Sequence, residues 1–297
     1  TELMPHIETD YKAAPYRVLI GHSLGGLTAI DMLTNKPALF NASIAIDPSM
    51  WYDNERILKN VIRQLPNSRL ENKRLFIGTA NTKPKGITLS ALTKDRTYGT
   101  QHIRSIFKLD SFLKTKPNSG LMYAQKFYEN DSHISVPLIS AYDGLRFIFD
   151  YYLIDVSEKD FIDPTPLIAQ KYQSHYVRVS REMGYQLAAP ESFISYLGYD
   201  ALAKKQYSKA AALFTLNIEN YPASSKVYDA YADYWAARKD TLNAMAYYKK
   251  ALSKKEEVTT LHKLNAISRQ QSWSVPAREL EIYEGAYMIE AYKAPVT

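Results

Sequence analysis

Residues Tyr16–Leu33 read YRVLIGHSLGGLTAIDML. Val18, Leu19 and Ile20 form an apolar run with the β-branched character of a buried strand. Leu24–Asn35 carries apolar residues at helical spacing. Ser23 stands at the junction, bracketed by Gly21 and Gly25 in a G-x-S-x-G pattern. In a strand–turn–helix context this pattern is the nucleophile elbow, a sharp reversal that holds the serine backbone in a strained conformation. A Cβ two residues to either side is expected to collide across the turn, hence the two glycines. The hydroxyl then projects clear of the sheet. The Leu24 N–H, at a helix N-terminus, is aimed at the same reacting carbon and is a candidate oxyanion donor.

Working outward, strand-like and helix-like runs alternate. Arg17–Gly21, Ala42–Ile46, Arg74–Ala80 and Leu121–Tyr128 read as strands. Leu24–Asn35, Glu55–Leu65, Thr100–Leu113 and Ala141–Tyr152 read as helices between and after them. The alternation predicts an α/β region with a parallel sheet covered by helices on both faces.

A serine hydroxyl is a poor nucleophile without a base. His133, in FYENDSHISVP, follows the last strand and precedes the last helix of this region, where the chain order Ser…acid…His places the base. His102 falls within a helical pattern, and the His22 side chain is expected to point away across the turn. The acid is expected after Arg74–Ala80, but that position holds Asn81. A Ser23–His133 dyad oriented by Asn81 or a backbone carbonyl is therefore the first expectation. Asp95 or Glu129 as a true acid is the second, and Asp131 lies too close to His133 along the chain.

The chain has 297 residues, 46% of them hydrophobic, enough for one large domain or two ordinary ones with a real core. It lacks cysteine, which removes disulfides, thiolate nucleophiles and cysteine-based zinc sites. With 37 basic and 31 acidic residues the net charge of +6 is mild for this length. Neither a P-loop nor a nucleic-acid-binding motif occurs, no apolar run is long enough to span a bilayer, and no metal or organic cofactor is implied.

After about Asp155 the strand signals stop, Pro164 and Pro166 mark the change, and nearly everything from Thr165 onward reads as helix. Glu191–Ser224 and Ser225–Val258 align at an offset of 34 residues. Small residues recur where helices must approach closely (Gly198 and Ala232, Ala210 and Ala244). The segment resembles a pair of tetratricopeptide repeats, with Glu256 replacing the second terminal proline. The expected division is a catalytic region at 1–155, a linker with a capping helix at 156–185, and helical repeats at 186–297.

GHSLGGLTAIDML, DPSMWYD, LFIGTAN and FYENDSHISVPLISAYDGLRFIF together resemble the esterase family of α/β-hydrolases that includes siderophore (enterobactin-type) esterases, S-formylglutathione hydrolases and feruloyl or acetylxylan esterases. The resemblance covers about residues 10–155 and is strongest to the siderophore-esterase branch. There a Ser–His dyad is known and an S-P-S-x-W-W stretch is common. Here Asp47 replaces its first serine and Tyr52 its second tryptophan. The resemblance implies hydrolysis of a small-molecule ester through an acyl-serine, carries over Ser23 and His133, and places Trp51 near the pocket. The fold it implies has further strands before the elbow and a second oxyanion donor in one of their loops, so 1–155 is expected to be the C-terminal part of that domain. A different class of function is an interaction protein, a weakened hydrolase whose repeats bind a peptide through Tyr196, Tyr199, Tyr228, Tyr231 and Tyr234. Acyl transfer to another alcohol would use the same residues. Compartment is open, with a periplasmic or secreted setting preferred.

Overall fold

The computed structural model describes residues 2–115 and 120–272, with two further strands at 287–289 and 294–296. The chain divides into two compact units. The first comprises Thr1–Ile154 with Arg178–Gln186, and the second Asp155–Val177 with Leu187–Thr297.

The first unit opens with helix α1 (Leu3–Asp10), then alternates β1 (Val18–His22), α2 (Leu24–Asn35), β2 (Ala42–Ile46), α3 (Tyr52–Gln64), β3 (Arg74–Ala80), the short α4 (Leu89–Leu92), α5 (Gln101–Thr115), β4 (Met122–Tyr128) and α6 (Val136–Ile148). The four strands form one parallel sheet in the order β1-β2-β3-β4. Successive side chains of a strand point to opposite faces, and the core divides accordingly. Ala45, Leu75 and Ile77 face a cluster built with Leu27 and Ile30 of α2, Leu58 and Val61 of α3, and Ile106 and Leu109 of α5. Ile44, Ile46, Phe76 and Ala80 face the other way, onto Val136 and Ile148 of α6. Each fully buried Leu or Ile contributes on the order of 1.5–3 kcal/mol, so both layers are firmly anchored. Because all strands run the same way, their C-terminal ends, after His22, Ile46, Ala80 and Tyr128, gather along one edge. That edge is where open α/β sheets place their ligands.

The second unit contains α7 (Glu158–Ile162), most of α8 (Leu167–Met183), α9 (Glu191–Ala203), α10 (Tyr207–Asn220), α11 (Ser225–Ala237), α12 (Thr241–Lys254) and α13 (Val258–Ser272). The α9–α10 pair recurs as α11–α12 with every boundary displaced by 34 residues. Gly198 makes the first pair close: a Cβ there would stand 2.6 Å from the Phe214 ring. Ala232, Ala244 and Tyr248 pack in the second. One expectation fails in this half. Strand structure does not end at Asp155, because β5 (Tyr287–Ile289) and β6 (Ala294–Val296) pair antiparallel. Tyr, Ile and Val favour extended backbone, and runs this short carry too little periodicity to be read. Among the described residues no helix is long and apolar enough to cross a membrane.

Candidate active site

Ser23 sits between β1 and α2 with φ 59° and ψ −116°, a conformation that L-residues rarely adopt. The turn is held by the Ser23 N–H donating to the Ile46 carbonyl at 3.0 Å and by the Ser23 carbonyl accepting from the Ser49 N–H at 3.1 Å. Gly21 is required as expected, since a Cβ there would lie 2.0 Å from the Gly25 carbonyl oxygen. Gly25 is not required for that reason, because its Cβ position is open. The second tight glycine is Gly26, whose Cβ would meet the Gly21 and Ile46 carbonyl oxygens at 3.1 Å. Leu24 opens α2, where an N–H has no intrahelical acceptor.

Ser23 lines a cavity of about 370 Å³ together with Ser49, Trp51, Tyr98, His102 and His133. The Ser23 and Ser49 hydroxyls are 3.2 Å apart. Trp51 meets Tyr98 edge-on, with ring centroids 6.5 Å apart. Three left-handed residues, Asp53, Asn54 and Glu55, follow Trp51 and bend the start of α3. Asp and Asn tolerate that conformation better than most side chains.

His133 lies in the loop between β4 and α6. Its Nδ1 is 2.6 Å from Oδ2 of Asp47. A carboxylate accepts, so Nδ1 carries the ring proton and Nε2 presents its lone pair. Asp47 is completely buried and follows β2 directly, not β3. Its Oδ1 accepts the Ala80 N–H at 2.9 Å, and its Oδ2 also faces His102 Nε2 at 2.8 Å. Burial alone would push the Asp47 carboxyl up. The His102 hydrogen bond and charge, the His133 hydrogen bond and the Ala80 N–H outweigh burial and hold it below the usual carboxylate value.

Asn81 therefore does not orient His133: its Nδ2 donates to the Glu129 carbonyl at 2.8 Å, and its N–H to the Asp131 carbonyl at 2.8 Å. Glu129 takes part through that backbone oxygen. Asp131 accepts from the Ser135 hydroxyl and shapes the His133 loop. His22 does not point away. Its Nε2–H donates to the His133 carbonyl at 2.8 Å, and the two rings lie 4.4 Å apart. His102, set aside as a helical residue, instead meets the Asp47 carboxylate from the first turn of α5.

Asp95, the other candidate acid, has a structural task. Its Oδ1 accepts from the Thr97 N–H and hydroxyl at 2.7 Å and from the Thr100 hydroxyl at 2.6 Å. The Thr100 and Thr97 hydrogen bonds lower its pKa to about 2. A carboxyl lowered on folding stabilises above its unfolded value of about 4, and the contribution is lost as pH falls from about 4 towards 2. The Thr97 amide resonance is accordingly expected to titrate with a midpoint near 2. A midpoint near 4 would show that Asp95 does not hold this turn.

Asp47 Oδ2, His102 Nε2 and His133 Nδ1 lie within 4.8 Å of one another and are metal-type ligands. Atoms around a tetrahedral zinc with bonds near 2.1 Å stand roughly 3.4 Å apart. The separations of 2.6 and 2.8 Å are those of N–H···O hydrogen bonds, and the donor set fits protons in place of an ion.

A parallel sheet, a serine at a strained strand-to-helix turn, and a histidine and a carboxylate from the loops after β4 and β2 make up an α/β-hydrolase-like arrangement. Residues 1–95 match the sequence profile of the family described as "Putative esterase". The chain is 27% identical over 147 residues to the ferri-bacillibactin esterase BesA of Bacillus subtilis, covering 49% of this chain and 47% of that protein. It thus spans about half the length of that relative. The crystal structure of an IroE-like serine hydrolase from Shewanella oneidensis is similar with a TM-score of 0.56 and 25% identity, over 73% of this chain and 63% of that one. An uncharacterised protein from Capnocytophaga ochracea shares the fold at a TM-score of 0.58 and 16% identity, over 90% and 72% of the two chains.

Proposed function

We propose that the protein hydrolyses carboxylic esters through an acyl intermediate on Ser23, with Asp47, His133 and Ser23 as a triad. The observation that carries this reading is the Asp47–His133 hydrogen bond beside the cavity that Ser23 lines. Ser23 Oγ attacks the ester carbonyl carbon while His133 Nε2 takes its proton. The oxyanion accepts from the Leu24 N–H. Collapse expels the alcohol, which takes the proton back from His133. Water, deprotonated by the same nitrogen, then attacks the acyl carbon and frees Ser23. Asp47 fixes the Nδ1–H tautomer and stabilises the imidazolium. The likeness to a siderophore esterase over half of the chain favours a small-molecule ester as substrate.

In this reading the second unit is a pair of tetratricopeptide-type repeats appended to a hydrolase. The interaction-protein reading draws its motive from a missing acid, and Asp47 supplies one. Three members of its tyrosine row also pack between helices: Tyr228 and Tyr234 are buried and Tyr231 stacks on Tyr234 at 5.5 Å, while Tyr196 and Tyr199 stay exposed, the Tyr199 hydroxyl donating to Asp233 at 2.8 Å. Turnover of p-nitrophenyl acyl esters by the intact protein tests the proposal. Nitrophenolate release that vanishes in Ser23→Ala supports it. Equal release by the variant removes it.

A further inference from the structure

A second cavity, of about 670 Å³, is built partly on α5, as the first is, and plays no part in the steps above. Its volume is within the range of small-molecule sites. Leu92 and Phe107 give it apolar walls, and three cations, Arg96, Arg104 and Lys108, line it against one carboxylate, Glu55. That carboxylate is taken by Lys108 at 2.6 Å.

The two guanidinium groups are held differently. Arg96 donates to the Thr93 and Asp95 carbonyls at 3.0 and 2.8 Å. Arg104 donates to the Thr100 hydroxyl at 2.8 Å and the Thr97 carbonyl at 3.0 Å. Asp95 lies close enough to feel Arg104, but its Oδ1 is engaged by Thr97 and Thr100. Among the described residues neither arginine makes an ion pair with a carboxylate. Neutral acceptors thus fix both groups, and neither guanidinium spends a donor on a carboxylate. A guanidinium has five donors, so each keeps some for a ligand. Oriented guanidinium groups beside an apolar wall are suited to bidentate recognition of an organic anion.

The two cavities share their framework. Gln101 and His102 of α5 line the Ser23 cavity, and Arg104, Phe107 and Lys108 line this one. Residues three apart on a helix stand one turn, about 5 Å, from each other. Trp51, on the first cavity, and Glu55, on this one, are joined by the Glu55 N–H donating to the Trp51 carbonyl at 3.2 Å.

We infer that this cavity is an anion subsite of the ester-binding cleft: it receives a negatively charged group carried on an apolar ring or chain of the substrate, remote from the scissile carbonyl. The inference rests on the esterase reading for its role, and its binding chemistry can be tested separately.

Two measurements on the intact protein do so. In the first, p-nitrophenyl half-esters of dicarboxylic acids of increasing chain length are compared with the matched neutral esters. At one chain length the carboxylate is expected to raise kcat/KM on the order of tenfold to a hundredfold, the range for hydrogen bonds to a charged group. The ratio of charged to neutral ester should fall towards one in Arg104→Gln and in Arg96→Gln, survive better in Arg104→Lys, and shrink with added salt. No preference for the charged ester at any length would overturn the role in the cleft. In the second, 2-naphthoate is titrated calorimetrically into Ser23→Ala, with 2-naphthamide as the neutral control. Binding of naphthoate alone, weakened by Arg96→Gln, supports the subsite whether or not esters are turned over. No naphthoate binding, or equal binding of the amide, overturns it even if Ser23 proves to be the nucleophile. Naphthoate binding without any ester turnover would leave the anion site standing and sink the esterase reading.

Discussion

Replacing Ser23 with alanine is expected to lower kcat/KM for p-nitrophenyl esters by a factor on the order of 10³ or more, leaving the fold intact. The hydroxyl is the only atom lost, and its contact in the resting structure is the Ser49 hydroxyl at 3.2 Å. The elbow is held by the Ser23 backbone, through its bonds with Ile46 and Ser49, so alanine changes neither the turn nor the position of the Leu24 N–H. Residual activity would reflect binding and oxyanion stabilisation without a nucleophile. Far-ultraviolet circular dichroism and thermal unfolding of the variant should match the wild type. Ser49 lies near enough that a loss below tenfold would call for Ser49→Ala. If that variant alone abolished turnover, the nucleophile would have been misassigned.

The second large effect belongs to Asp47→Asn. Asn is nearly isosteric, and its carbonyl oxygen would stay on the Ala80 N–H, which fixes Oδ1 at 2.9 Å. The amide NH2 would then face His133 Nδ1 and His102 Nε2, where Oδ2 now accepts at 2.6 and 2.8 Å. Two donors cannot face one another. His133 would move its proton to Nε2 and meet Ser23 with a donor where the reaction needs a lone pair. A fall in kcat on the order of 10³–10⁴ follows from the wrong tautomer. Stability should fall as well. The Asp47 carboxyl is held below its ordinary value in the fold, so it stabilises above about pH 4 and the contribution is lost as the pH drops through its folded value. The variant should therefore show a smaller change in unfolding midpoint than the wild type between pH 7 and pH 3. Activity within tenfold of wild type would mean that the carboxylate does not set the tautomer of His133.

Much of the first unit is legible in the residues because strand and helix periods differ. Ala42–Ile46 and Arg74–Ala80 alternate their side chains between two clusters, and α2 begins where the glycines release the chain. The elbow is legible for the same reason. The carboxylate that meets His133 is not, although DPSMWYD displays it one residue past the end of β2. Reading it requires knowing that β2 lies beside β3 and that the β4 loop folds back over both strand ends, and strand order is a tertiary fact. His102 is hidden in a related way. Its helix is plain in the pattern, but the buried partner of its first turn is Asp47, which lies 55 residues earlier. Gly25 and Gly26 show a finer limit. Adjacent glycines can both be counted, but the close approach of the Gly21 and Ile46 carbonyl oxygens to only one of them appears once β2 is in place.

The account turns on whether the Ser23 oxygen becomes covalently bonded to an electrophilic carbonyl or phosphoryl centre. Treating the intact protein with a fluorophosphonate and mapping the adduct by peptide mass spectrometry tests this most directly. The account predicts one phosphonyl group per chain on the peptide bearing Ser23, with labelling strongly slowed in His133→Ala and Asp47→Asn. An unlabelled Ser23 in folded protein, or labelling at the same rate in all three proteins, would contradict it.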